Sequence, residues 1–442
     1  MGPRAFFCGQ YQARRGEPEV TQVTATGHKS DPMSVAKATA SWLLSQEVRE
    51  PGDGGSYWPS RSDLSLEEKC DLYYGNAGIL LFLRELYEAT GRPEYREGIR
   101  RGIRFLERNI SRVGRYGLYD GLAGIAFSLA QWPDDPEAVA GCSRAVDRLI
   151  REKQDRVNAG ARWNQHIDVM SGSAGIGLSL LELGRQLHRP ELINLAVRAE
   201  VDLTAASSKL PRGHYWLHQS NEQKQYPNFS HGTAGVGYFL LKLYEETGNC
   251  RLLDAANDAA NYLQSIMSTD PRTECLIPHD LSEGRELFYL GWCHGPAGTD
   301  RFIYELFSIT KEAKWKSVGQ TAAETILRSG IPEKPTPGHW HNVSRCCGAV
   351  GVGEFFLGLY RKTKEVSYRQ FALRIGEYLE NTAQADGQGL KWIQAENRIE
   401  PDRMIAQTGL MQGGAGIGLF LLHLTDPDNK RKRGLLFPDS PW

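Results

Sequence analysis

Apolar positions along the chain fall into two alternating kinds of segment. One kind follows a Gly-x-x-Gly step that occurs seven times, starting at Gly75, Gly121, Gly172, Gly232, Gly295, Gly348 and Gly413. Each step opens a run that is apolar on most sides, as in Gly175-Ile-Gly-Leu-Ser-Leu-Leu-Glu-Leu and Gly235-Val-Gly-Tyr-Phe-Leu-Leu-Lys-Leu. A helix with few charges in its first two turns is one lined by neighbours. The other kind is amphipathic and covers residues 33–46, 93–108, 136–151, 190–206, 251–267, 312–328 and 366–382. In the fifth of these, Leu252, Ala255, Ala256, Ala259, Leu263 and Ile266 recur at helical spacing with charge on the other face. Such helices are half-exposed. The predicted order is outer, inner, outer, inner, seven times.

The steps start 46 to 65 residues apart, which marks a repeat architecture. Several inner runs end in helix-stop chemistry: Gly91 with Pro93 after it, Gly248, and Pro190 after Arg189. Short loops join inner to next outer, and longer Gly- and Pro-rich stretches join outer to next inner. The expected fold is all-α, an α/α toroid of seven inner and seven outer helices with the inner N-termini at one rim. An open solenoid has the same periodicity but needs polar capping repeats, and the seventh repeat is as apolar as the first. The glycines are expected to permit close approach and unusual backbone angles where seven loops crowd together. No strand pattern calls for a β domain. Residues 1–30 are expected to be poorly ordered, residues 31–426 to form the toroid, and residues 427–442 to be a C-terminal tail.

Composition narrows the function. Charge is near balance, with 52 basic and 53 acidic residues, and no basic stripe points to nucleic acid. The run Lys430-Arg431-Lys432-Arg433 reads as a solvated tail. No apolar stretch approaches a membrane span and no signal peptide is visible, so the expectation is a cytoplasmic protein. Eight cysteines in such a chain do not make a disulfide scaffold.

Residues at equivalent repeat positions point to one place, so the chemistry is sought just before each step. The two residues there are Tyr73-Tyr74, Tyr119-Asp120, Met170-Ser171, Ser230-His231, Cys293-His294, Cys346-Cys347 and Met411-Gln412. Cys293, Cys346 and Cys347 are three thiols suited to Zn²⁺, with a fourth place left open as in a catalytic site. His294, or His339 and His341, are alternatives to one thiol. His231 shares the thiols' register and is a proton-transfer candidate, with His294 beside it in the next repeat. Asp168 and Asp120 are both candidates to orient such a group, and residue type does not choose between them.

Taken together, Trp292-Cys293-His294-Gly295, Cys346-Cys347-Gly348, Ser230-His231-Gly232-Thr-Ala-Gly235 and Asp168-Val169-Met170-Ser171-Gly172-Ser-Ala-Gly175 resemble the motifs of the lanthionine synthetase C-like cyclases. The resemblance spans all seven repeats. It implies a zinc ion at the centre of a fourteen-helix toroid, held by Cys293, Cys346 and Cys347, with His231 and Asp168 moving protons. It also implies a reaction, addition of a cysteine thiol to dehydroalanine or dehydrobutyrine. The substrate is then a dehydrated precursor peptide, and dehydration falls to a separate dehydratase or kinase-lyase partner. Related alternatives are a glutathione transferase acting on dehydroamino acids in proteins, and a zinc-binding scaffold without turnover. Two departures stand out. Cys347 replaces a family His, and Tyr289 stands where many cyclases carry an Arg. The continuation Pro296-Ala297-Gly298-Thr299 is more similar to stand-alone members of the family.

Overall fold

The computed structural model describes residues 31–52, 54–211, 213–216, 225–282, 285–334, 339–340, 342–429 and 434–442. The expectation for residues 1–30 lies outside the described residues. Fourteen helices follow in chain order: α1 (Pro32–Ser45), α2 (Asn76–Thr90), α3 (Pro93–Asn109), α4 (Leu122–Ala130), α5 (Pro136–Arg151), α6 (Ser173–Gln186), α7 (Pro190–Ala205), α8 (Thr233–Thr247), α9 (Cys250–Ile266), α10 (Pro296–Thr310), α11 (Ala313–Arg328), α12 (Ala349–Thr363), α13 (Val366–Thr382) and α14 (Gly414–Leu424). A one-turn helix, Leu66–Cys70, precedes α2. Odd-numbered helices are outer and even-numbered ones inner, and every outer boundary falls within one residue of its expected place.

Each inner helix packs on the next, and α14 packs back on α2. The ring is therefore closed, as the apolarity of the seventh repeat requires. Each inner helix also packs on the outer helix that follows it, except that α14 receives α1 from the opposite end of the fold. Four inner–inner joints share one device. A Cβ on Gly177, Gly237, Gly353 or Gly418 would lie 2.4 to 2.5 Å from the tip of Phe239, Phe302, Phe420 or Phe82 respectively. The missing side chain is a socket for a phenyl ring of the neighbouring inner helix. The Gly418–Phe82 joint lies between α14 and α2, so the seam that closes the ring uses the same packing as its interior.

The Gly-x-x-Gly steps act by close approach, not by unusual backbone angles. The first glycine of each step caps its inner helix in extended backbone, with φ between −106° and −160°. The second glycine lies in the first helical turn, where a Cβ would sit 1.9 to 2.3 Å from the carbonyl oxygen six residues earlier. Those carbonyls belong to Leu72, Leu118, Val169, Phe229, Trp292, Arg345 and Leu410. Each loop is pressed onto the start of its own helix. Positive φ occurs instead at the inner C-termini, at Gly91 and Gly248 and, in the same role, at Lys311 and Lys364.

This pressing creates a closed belt of backbone hydrogen bonds. The N–H of Tyr73 donates to Tyr119 (2.9 Å), Tyr119 to Met170 (2.9 Å), Met170 to Ser230 (3.3 Å) and Ser230 to Cys293 (2.9 Å). Cys293 then donates to Cys346 (3.1 Å), Cys346 to Met411 (2.9 Å), and Met411 back to Tyr73 (3.0 Å). Every belt residue stands two positions before a first glycine. The periodicity thus specifies the belt's register.

Gly298→Ala is expected to destabilise by about 3 kcal/mol or more, because its Cβ would meet Trp292 O at 1.9 Å and the loop cannot retreat without breaking the belt at Cys293. Gly319→Ala, in α11 with nothing within 4 Å of the new Cβ, is expected to stabilise by about 0.5–1 kcal/mol. Urea unfolding midpoints at unchanged slope check both.

Among the described residues, the outer-to-inner loops also hold six two-stranded ribbons, such as Ser208–Leu210 with Gly213–Tyr215 and Ile393–Ala395 with Met404–Ala406. Strands of two or three residues are too short for alternation to show in sequence. The end of the segment read as a tail enters the ring: Phe437 and Asp439 are buried, and Trp442 fills the space left by Gly358 of α12. Among the described residues, no helix is long and apolar enough to cross a membrane.

Candidate metal centre

Cys293 and Cys346 are adjacent members of the belt, joined by the backbone hydrogen bond between them. Cys347 follows directly, and its N–H donates to Ser344 Oγ at 3.1 Å. All three thiols are buried, and their sulfurs lie within 4.8 Å of one another, the only such group of His, Cys, Asp and Glu donors among the described residues. Cys293 Sγ donates to Cys347 Sγ at 3.5 Å. Burial pushes the Cys293 thiol up, whereas the hydrogen bond from Cys293 pulls Cys347 well below the usual thiol range. Such ligands must shed protons to bind metal. Inner helices open three residues after Cys293 and Cys346, and the positive ends of their dipoles favour anionic sulfur there. Soft donors in a set of three suit zinc with one open position.

The belt also places the acid–base groups. His231 follows the belt residue Ser230, and its Nδ1 meets Asp168 Oδ2 at 2.6 Å. Asp168 is fully buried, while the His231 side chain is 27% exposed and lines the cavity. With Nδ1 engaged by the carboxylate, the ring is held at the cavity wall. Asp168 Oδ1 accepts the Ser171 N–H at 2.8 Å, and Ser171 Oγ donates to Asp120 Oδ2 at 2.8 Å. The two aspartates therefore have different tasks: Asp168 holds the histidine, and Asp120 sits one link further back. Burial raises the Asp120 carboxyl above its usual range.

Thiols and histidine face one cavity of about 600 Å³. Its size is that of a small-molecule or peptide-segment site. His294 lines it too, its ring 5.5 Å from that of His231 and 4.4 Å from that of His279. His279 in turn stacks near Tyr289 at 4.4 Å, and Tyr226 stands 5.0 Å from His294. Gln412 donates to Tyr73 Oη at 2.8 Å and reaches Cys347 Sγ at 4.0 Å. The side chain of His339, and His341, lie outside the described residues.

One wall is the loop between the last two strands, Ile393–Ala395 and Met404–Ala406. Glu396 is engaged by Tyr74, Arg61 and Gln407. Arg398, on the same loop, is exposed and lines the cavity with Tyr289. Burial, followed by the neighbouring Cys347 and Cys293, pushes that phenol up, and the Arg398 cation partly offsets the shift. His279 and Arg398 belong to no repeat-equivalent position, so the periodicity carries no signal for them, whereas Tyr226 stands six residues before Gly232 as Tyr289 stands six before Gly295. Gln412 does occupy such a position, beside Met411.

Comparison with known proteins finds relatives over most of the chain. A family described as lanthionine synthetase C-like protein matches residues 67–438. Nisin biosynthesis protein NisC of Lactococcus lactis subsp. lactis is 29% identical over 353 residues, covering 71% of this chain and 80% of that protein. Glutathione S-transferase LANCL1 of Danio rerio is 20% identical over 332 residues, covering 71% of this chain and 75% of that protein. The solved structure of nisin cyclase superposes with a TM-score of 0.63 at 18% identity, over 92% of this chain and 97% of that one.

Proposed function

Because the chain belongs to the lanthionine synthetase C-like family, we propose that it is a zinc-dependent cyclase that closes (methyl)lanthionine thioether rings in a dehydrated precursor peptide. The observation that carries this reading is the convergence of three buried thiols and a carboxylate-held histidine on one cavity. Cys293, Cys346 and Cys347 would hold the ion. Bound zinc supplies one thing, a lowered pKa for an incoming cysteine thiol.

The remaining work falls to the chain's own side chains. The buried carboxylate of Asp168 fixes the His231 ring, and His231 receives the proton that the thiol gives up. The sulfur lone pair forms the S–Cβ bond as the C=C pair moves onto Cα and its carbonyl. His231 then delivers the proton to Cα. No atom is lost, so product and substrate have equal mass. Tyr226, His279 and His294 wall the site and keep water from the basic carbon. Dehydration of serine or threonine precedes all this and requires a separate dehydratase or kinase-lyase.

Arg398 supplies a cation beside Tyr289, the residue at the place where many family members carry an Arg. Its reading is to hold a carboxylate of the substrate. Because the side chain is exposed, Arg398→Gln is expected to raise KM by only about fivefold with kcat nearly unchanged. Equal losses in kcat and kcat/KM would instead assign it to the transition state.

A second reading is favoured by that same cation together with the similarity to a glutathione S-transferase. Glutathione is an anionic thiol and would take the place of the peptide cysteine. Incubation with a peptide bearing one dehydroalanine and one cysteine, with and without glutathione, separates the two. Cyclisation removes the alkylatable thiol at unchanged mass, and transfer adds the mass of glutathione. Neither product with the metal-loaded chain would leave the non-catalytic scaffold.

A further inference from the structure

Residues 434–442 meet the two loops that carry Cys293 and Cys346. Asp439 is fully buried, and its Oδ2 accepts three hydrogen bonds: from Trp292 Nε1 at 2.9 Å, Arg301 Nη1 at 2.9 Å and Tyr119 Oη at 3.1 Å. Its backbone carbonyl accepts a further one from Arg301 at 3.0 Å. Trp292 directly precedes Cys293. Two residues nearer the start of the segment, the Phe437 ring lies 4.0 Å beneath the guanidinium of Arg345. Arg345 directly precedes Cys346, and its Nε donates to Glu354 Oε2 at 2.8 Å. Neither Trp292 nor Arg345 lines the substrate cavity; both are buried and turned toward residues 434–442.

The main chain at both residues is under constraint as well. Trp292 O and Arg345 O are the carbonyls pressed against Gly298 and Gly351. With the carbonyl clamped by glycine and the side chain clamped by this segment, the next residue has little freedom, and in both cases the next residue is a sulfur donor. Tyr119, in a third belt loop, shares Asp439 through its hydroxyl.

We propose that Asp439 is a positioning residue of the metal centre, which with Phe437 fixes the Cys293 and Cys346 loops through Trp292 and Arg345. Groups behind a metal's ligands commonly set affinity by orienting them. This assignment rests on the reading of the three thiols as metal ligands, and it concerns ligand placement, not turnover.

The test measures metal affinity by chelator competition on the full chain, together with the sulfur-to-metal charge-transfer spectrum of the cobalt(II) form. Asp439→Asn is expected to weaken binding by on the order of tenfold and to shift that spectrum. Trp292→Phe removes the same hydrogen bond without stranding the Arg301 charge, and is expected to act in the same direction if Asp439→Asn folds poorly. Leu149→Ala, buried in α5, is the control for stability loss alone and is expected to leave affinity and spectrum unchanged. Wild-type affinity and spectrum in both Asp439→Asn and Trp292→Phe would overturn the proposal while leaving the metal site intact. Equal loss in Leu149→Ala would overturn it too. Absence of metal from the unaltered chain would overturn this inference and the thiol-ligand reading together.

Discussion

Replacing Cys293, Cys346 and Cys347 together by alanine is expected to eliminate zinc from the purified protein and to reduce thioether formation to the uncatalysed rate. A free cysteine thiol has a pKa of about 8.5 and is only a few per cent thiolate at pH 7. Losing metal activation therefore costs a factor of roughly thirty in nucleophile alone. Losing the fixed placement of sulfur against the alkene costs more, since well-oriented reactants reach effective molarities of about 10⁵ M and above. A total loss on the order of 10³-fold or greater follows. The ring should survive, because its inner helices are sealed along their length by apolar side chains and by phenyl rings seated on glycine. Cooperative unfolding and helical circular dichroism are expected to persist in the triple variant and after chelation. A chain that unfolds on chelation would show the site to be structural.

His231→Ala is expected to keep its zinc yet slow the reaction by about 10²- to 10⁴-fold, the usual contribution of a positioned proton-transfer group. Asp168→Asn should lose a similar factor, because the buried carboxylate that holds Nδ1 is what presents Nε2 to the substrate. The two residues act as a unit, so the double variant should be no slower than the worse single one. Rates with a dehydroalanine peptide, alongside metal content, decide this. Losses that multiply would separate the pair into independent roles, and full activity in His231→Ala would remove it from the mechanism.

Much of this architecture could be read from spacing alone. Seven apolar runs behind seven glycine steps specify seven inner helices, and the alternation of amphipathic segments places the outer ones. The same register puts Cys293 and Cys346 at the belt, because a residue two positions before each first glycine has one place to go, and Cys347 follows one position further on. His231 follows from that rule and Asp168 from the motif it shares with the family.

What escaped has physical reasons. The step glycines look like sites of backbone strain, yet their φ values suit any residue; the demand comes from a carbonyl six residues earlier, a contact that sequence does not display. Gly358 resembles a weak helix position until Trp442 is seen against it. Asp439 is one acidic residue in a Pro-containing stretch, and nothing local marks it as the acceptor for Tyr119, Trp292 and Arg301. His279 and Arg398 come from loops whose lengths vary between repeats, so no period points to them.

The central claim is that three cysteines from successive repeats form one zinc centre open to a substrate thiol. Zinc-edge X-ray absorption on the purified full chain tests it most directly, read with and without a cysteine peptide. The account predicts about one zinc per chain with three sulfur neighbours at about 2.3 Å and one lighter fourth neighbour, which becomes a fourth sulfur when the peptide is added. A chain without zinc, or a coordination shell that the peptide leaves unchanged, would contradict it.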